Sequence, residues 1–162
     1  MKKWYENAVF YELYTRSFRD ANGDGFGDFA GVLEKLDYLA DLGIDAIWLP
    51  PFYASPLRDG GYDISDYTAI DPRYGTQKEL DQIFSKAHSL GIKIIIDLVI
   101  NHTSDQHKWF IQSRKDPKGP YGDYYVWADD DKGYAGTRVI FSATEKSNWT
   151  FDDVRKQYFW HR

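Results

Sequence analysis

Apolar and polar positions change period several times along the chain, and each change predicts an element. The stretch AVFYELYTRSF is rich in β-branched and aromatic residues and predicts a strand from about Val9 to Tyr14. In FAGVLEKLDYLADLG, residues Val32, Leu33, Leu36, Leu39, Ala40 and Leu42 fall on one helical stripe, with Gly43 as a stop. IDAIWLP is a short apolar run and predicts a buried strand. Thr76, with Glu79 three residues on, reads as a capping box. The helix it opens, KELDQIFSKAHSLG, gathers Leu80, Ile83, Phe84 and Ala87 on one face and stops at Gly91. IKIIIDLVI is apolar almost throughout, the pattern of a strand buried on both faces in a parallel sheet.

The predicted order is β-α-β-α-β with right-handed crossovers. A long loop, PFYASPLRDGGYDISDYTAIDPRYG, dense in Pro, Gly and Asp, separates the second strand from the second helix. After NHTS the pattern dissolves. A short helix is predicted around 107–115, and RVIF and QYFWH are weak strand candidates. Three parallel strands and two helices only begin a sheet of ordinary size, so the chain is expected to be a fragment of a longer protein.

Composition narrows the classes. The 162 residues are 43% hydrophobic and 28% charged, which is globular rather than disordered. A net charge of -5 lacks the Lys/Arg excess that phosphate binding needs, so nucleic acid is excluded as the main partner. The absence of Cys removes disulfides, thiolate metal sites and Cys nucleophiles, and fits a reducing compartment. MKKWYENAVF carries no apolar h-region, and no run approaches membrane-spanning length, so no signal peptide, no membrane partner and a cytoplasmic location are expected. Aromatics make up 18% of the chain, many in polar company, as in YGDYYVW. They suit either packing or stacking platforms for flat ligands such as sugar rings.

Candidate chemistry lies in three loops, each following a strand and therefore opening on one edge of a parallel sheet. In DANGDGFGDF, Asp20, Asn22 and Asp24, the Phe26 carbonyl and Asp28 match the early ligands of an oxygen-rich calcium loop, with Gly25 at its sixth position. Gly31 stands where an EF-hand has its bidentate Glu, and the flanks are strand and helix, so this is no EF-hand. A solvated acidic turn is the alternative. In RDGGYDISDY, Asp59 and Asp63 flank Tyr62, behind glycines that let the backbone approach a ligand. In DLVINH, Asp97 sits in an apolar strand and must find hydrogen-bond partners, while Asn101 and His102 emerge at its carboxyl end.

These stretches carry a family resemblance. DLVINHTS resembles the first signature region of the α-amylase family of glycoside hydrolases. DANGDGFGDF, GVLEKLDYLADLGIDAIWLPPFYASP and GGYDISDY resemble its oligo-1,6-glucosidase-like branch. Within that branch, NHTSDQHKWF, SRKDPKGPYGDYYVW and TEKSNWTFDDVRKQYFWHR are most similar to the members that interconvert maltose and trehalose.

The resemblance implies an α/β fold: the N-terminal portion, with the first three βα strands, of a TIM (β/α)8 barrel over residues 1–102. Residues 103–162 would begin a domain B inserted after the third strand. It implies that Asp59, Tyr62 and His102 hold a glucose ring, the Tyr by stacking and the Asp and His by hydrogen bonds to hydroxyls. Asn101 would supply a calcium ligand toward domain B. Asp20, Asn22, Asp24, Phe26 and Asp28 would hold a second, structural calcium, with magnesium as the other hard cation that fits. The nucleophile Asp and acid/base Glu of the family belong to later strands, so no catalytic residue is assigned here. The expected activity of the longer parent is retaining glucosyl transfer, with maltose, trehalose and glucose as partners. A hydrolytic α-glucosidase is the alternative, and a non-catalytic carbohydrate-binding or chaperone-like module is the alternative of another class. Assembly of the parent into a homo-oligomer is left open by the residues.

Overall fold

The computed structural model of the protein describes residues 2–140 and 142–161. It divides into two compact units, Met1–Ser104 and Asp105–Arg162.

In the first unit, β1 (Phe10–Glu12), β2 (Ala46–Leu49) and β5 (Lys93–Ile96) form a parallel sheet in the order β1-β2-β5. The register runs Phe10↔Ala46 and Ala46↔Lys93. A single turn, α1 (Thr15–Phe18), follows β1, and the crossovers are α2 (Phe29–Asp41) and α3 (Gln77–Ser89). Helix α2 starts where Asp28 accepts the Gly31 N–H at 2.7 Å, an N-cap that satisfies one of the orphan donors of the first turn. Helix α3 carries the capping box the sequence predicts: Thr76 accepts from the Glu79 N–H, and the Glu79 carboxylate accepts from the Thr76 N–H at 2.8 Å.

The predicted apolar stripes face one core. Val32, Leu36 and Leu39 of α2 and Leu80, Ile83 and Ala87 of α3 are buried with Leu13, Ile47 and Leu49. Leu33, Ala40 and Phe84 sit at the margin of this cluster, while Leu42 is exposed because the helix has already ended.

Three expectations need correction. β1 spans Phe10–Glu12 rather than Val9 to Tyr14. IKIIIDLVI is strand only over Lys93–Ile96, and it is not buried on both faces: Leu98 and Ile100 are 78% and 80% exposed. β5 is an edge strand, paired with β2 alone, so its far side has no neighbour to cover it. The long Pro/Gly-rich loop contains an antiparallel pair, β3 (Tyr53–Ala54) with β4 (Asp66–Ile70). Two residues and a register shift leave no alternation in the sequence to reveal it.

In the second unit, α4 (Lys108–Lys115) is capped by His107, whose Nδ1 accepts the Trp109 N–H at 3.1 Å, so the predicted helix begins one residue late. β6 (Trp127–Ala128), β7 (Trp149–Asp152) and β8 (Gln157–Trp160) form an antiparallel sheet in the order β6-β8-β7. The weak strand candidate QYFWH is therefore β8. RVIF forms no strand at 138–140, and Phe141 lies outside the described residues. Aromatic packing holds this unit: the Phe110 ring stands 5.5 Å from Trp127 and 5.1 Å from Phe159, centre to centre. The Arg155 guanidinium lies 4.4 Å over the Trp127 ring and donates to the carbonyls of Ser113 and Gly122. These aromatics are packing elements first. Among the described residues, no helix is long and apolar enough to cross a membrane.

Candidate functional site

The carboxyl edge of the parallel sheet carries a linked cluster. The Tyr62 hydroxyl donates to Asp97 Oδ2 at 2.6 Å, and the Trp48 indole N–H donates to Asp97 Oδ1 at 3.0 Å. His102 Nε2 lies 3.1 Å from the Tyr62 carbonyl, and the Asn101 amide nitrogen lies 3.1 Å from His102 Nδ1. A carbonyl only accepts, so these contacts assign the proton to Nε2 and the acceptor role to Nδ1. The Tyr67 hydroxyl donates to the His102 carbonyl at 2.7 Å, and the Ser104 N–H to the Ile64 carbonyl at 2.9 Å. The segment after β5 is thus strapped to β4 and to the loop between β3 and β4. From the end of β1, the Tyr14 hydroxyl donates to the Gly60 carbonyl at 3.1 Å.

Asp59, Tyr62 and His102 therefore share one edge, with Asn101 beside His102. Both His102 ring nitrogens already have neighbours, so a sugar hydroxyl would have to share Nε2–H with the Tyr62 carbonyl or displace it. Asp59 is different. Among the described residues, no hydrogen-bond donor occupies its carboxylate. Two turns hold the loop: the Tyr62 N–H donates to the Asp59 carbonyl, and Asp63 accepts from the Ser55 hydroxyl and the Arg58 N–H, both at 2.8 Å. Asp97 and Trp48 are the members that sequence reasoning did not join. The misfit of Asp97 in an apolar strand was the visible signal, but nothing in the spacing named its donors.

Burial, and then the nearby Asp63 carboxylate, push the Asp59 carboxyl above its ordinary range, partly offset by His102. Burial, and then the bond to Asp97, push the Tyr62 phenol well above its usual value. The Asp59 shift has a consequence for stability. An acid with a raised folded-state pKa binds protons more readily folded than unfolded, so stability falls as pH rises from 3.8 through the raised value. In the full-length protein, Asp59→Asn is expected to melt above the parent at pH 7, with the difference shrinking toward about pH 3. Calorimetry across that range checks it; an Asn variant that melts below the parent at neutral pH contradicts the assignment.

The acidic loop is a second, separate feature. Asp20 accepts the N–H groups of Gly23 and Gly25 at 2.6 and 2.7 Å, Asn22 accepts that of Asp24 at 2.9 Å, and Asp24 accepts that of Phe26 at 2.8 Å. The N–H groups of Gly25 and then Gly23 hold the Asp20 carboxyl below its usual range. Asp28 spends its oxygens on Ala21 and Gly31. Each oxygen keeps a further lone pair, and the set is all oxygen, which fits a hard cation and not a soft one. Among the described residues, no three His, Cys, Asp or Glu side chains already converge as a metal-holding group. The fit rests on donor chemistry alone, since these side chains turn back on N–H groups of their own loop.

A parallel sheet with helical crossovers, carrying polar and aromatic groups at its carboxyl edge, is how barrels and open α/β sheets alike build a binding face. The chain belongs to the alpha-amylase catalytic domain family, a TIM-barrel family, whose model matches residues 12–162. It is 59% identical to a trehalose synthase of Pimelobacter sp. (strain R48), over 99% of this chain and 28% of that protein. It is 48% identical to an oligo-1,6-glucosidase of Heyndrickxia coagulans, over 99% of this chain and 29% of that protein. Among solved structures, the trehalulose synthase MutB from Pseudomonas mesoacidophila MX-45 superposes with a TM-score of 0.91 at 48% identity, over 99% of this chain and 29% of that one. Mutants of MutB have been crystallised with its substrate sucrose and with glucose. The chain thus spans less than a third of the length of each of these proteins.

Proposed function

We propose that this chain is part of an enzyme that interconverts maltose and trehalose by retaining glucosyl transfer. The observation that carries the reading is the higher identity to a trehalose synthase, 59% over 160 residues, than to an oligo-1,6-glucosidase, 48% over 161 residues. The chain's own share is to hold glucose. Tyr62 offers a ring for stacking, the unpaired Asp59 carboxylate accepts from hydroxyls, and His102 donates through Nε2. The reacting carboxylates, an attacking Asp and an acid/base Glu, would come from the remainder of the longer protein. A glucosyl-enzyme forms as glucose leaves; the released glucose stays, turns, and attacks through its anomeric hydroxyl. Residues 1–102 would belong to the barrel and 103–162 to domain B, which excludes the water that would otherwise hydrolyse the intermediate. The cysteine-free composition favours a cytoplasmic setting.

Incubating the purified full-length protein with maltose and separating the sugars tests this. Trehalose as the main product is expected. Glucose without trehalose would favour a hydrolytic α-glucosidase, and no turnover would favour a carbohydrate-binding module.

Calcium is proposed at the acidic loop, held by Asp20, Asn22, Asp24, the Phe26 carbonyl and Asp28, with Asn101 serving a second ion. Bound there, a divalent cation would neutralise neighbouring carboxylates and stiffen the crossover from β1 to α2. In the full-length protein, Asp24→Ala is expected to lower the melting temperature and to remove its response to chelator, with little change in turnover per folded molecule. Calorimetry with and without chelator decides. Identical melting of parent and variant would leave a solvated turn.

A further inference from the structure

Asp97 directly follows β5, is half-buried, and has no part in the glucose-holding roles above. Both its oxygens are committed, one to the Trp48 indole and one to the Tyr62 hydroxyl. Trp48 sits on β2 in register with Ile95, so the neighbouring strand delivers the indole to the carboxylate. The carboxylate is thereby fixed independently of Tyr62. At 2.6 Å, the Tyr62 contact lies in the range of charge-assisted O–H···O⁻ bonds, the stronger class.

Tyr62 needs such an anchor. Its backbone follows Gly60 and Gly61, at φ 61° and 107°, a turn that side chains other than glycine rarely adopt. His102 holds its carbonyl and the Asp59 carbonyl holds its N–H, which fixes the main chain but not the ring. The ring is half-buried, and the hydroxyl bond is the polar contact at its far end. We propose that Asp97 is a positioning residue: braced by Trp48, it holds the Tyr62 hydroxyl and so sets the ring face offered to a pyranose. The proposal rests on the reading of Tyr62 as the sugar-stacking residue.

A merely structural carboxylate would affect melting and leave sugar affinity per folded molecule alone. The full-length protein therefore serves for Asp97→Asn, Tyr62→Phe and the double variant, with maltose and glucose binding followed by calorimetry beside thermal melts. In Asp97→Asn the amide oxygen must serve the indole N–H, leaving the amide nitrogen facing Tyr62, so the charge-assisted bond is lost. Each single variant is expected to weaken maltose binding by about tenfold or more, because a misplaced ring forfeits stacking geometry. The double variant is expected to fall within about twofold of Asp97→Asn, since both changes cut one link. Multiplying effects, or parental affinity in Asp97→Asn, would overturn the proposal. Should Asp97→Asn fail to fold, parental affinity in Tyr62→Phe overturns it equally. A parent that binds neither sugar would refute the sugar reading instead. A crystal structure of Asp97→Asn then still judges Asp97: a displaced Tyr62 ring supports the inference, and an unmoved ring rejects it.

Discussion

Gly27→Ala is expected to cost the full-length protein more than about 3 kcal/mol of stability, at the upper end of overpacking penalties. The added Cβ would overlap the Thr15 carbonyl oxygen and stand 2.9 Å from the Arg16 carbonyl. These are main-chain atoms of α1, which cannot rotate aside as a side chain can. Relief requires separating the loop from α1, and that breaks the Gly27 N–H bond to the Arg16 carbonyl at 2.7 Å and the Asp28 N–H bond to the Arg19 carbonyl at 3.1 Å. Asp28 then loses its place as the cap of α2. Gly25→Ala is the control within the same loop. No atom lies within 4 Å of its Cβ, and the cost is confined to a left-handed φ of 89°, about 1–2 kcal/mol. Denaturant melts of both variants make the comparison. Equal, small losses would show that the loop is not seated against α1.

The sequence shows the helices of the first unit well because their signals are local. Thr76 and Glu79 form a capping box within one turn, and Val32, Leu36 and Leu39 repeat at the period of the helix they build. Strand extents were harder to read. IKIIIDLVI is apolar enough for a strand buried on both faces, yet Leu98 and Ile100 are exposed, since burial depends on a neighbour that composition does not reveal. The β3–β4 pair is invisible for the opposite reason, being too short to show a period. At the site, the pattern puts His102 directly at a strand end, but β5 stops at Ile96, and His102 lies six residues beyond it on the segment that follows. The Asp97 triangle could not be read from the pattern, because Tyr62 and Trp48 lie 35 and 49 residues from Asp97 in the chain. Only sheet register brings Trp48 to it, and only the fold of the β3–β4 loop brings Tyr62. Loop chemistry was partly legible: the alternation of Asp20, Asn22 and Asp24 is what turns each side chain back on the main chain.

A polypeptide of residues 1–162 by itself is expected to yield neither trehalose nor glucose from maltose, a loss of about 10⁴-fold or more against the full-length protein. Retaining transfer needs two carboxyl groups about 5 Å apart on opposite sides of the scissile bond, one to attack and one to exchange the proton. Four carboxylates lie around Tyr62: Asp97, Glu12 and Asp59, which all act on its phenol, and Asp63, which acts on Asp59; two of the four are already engaged. Asp97 is held by the Tyr62 hydroxyl and the Trp48 indole, and Asp63 by the Ser55 hydroxyl and the Arg58 N–H. Glu12 is an exposed side chain at the end of β1, and the reacting pair is expected from the remainder of the longer protein. Asp59, in contrast, is half-buried and has no donor on its carboxylate among the described residues. Its raised pKa comes from burial and from Asp63, which suits a hydroxyl acceptor at a binding site without supplying its partner. The measurement is sugar analysis after long incubation of the purified polypeptide, with circular dichroism to confirm helix content. Turnover above buffer that vanishes in Asp59→Asn would mean that this chain holds a reacting carboxylate of its own, and the assignment of Asp59 to glucose holding would be wrong.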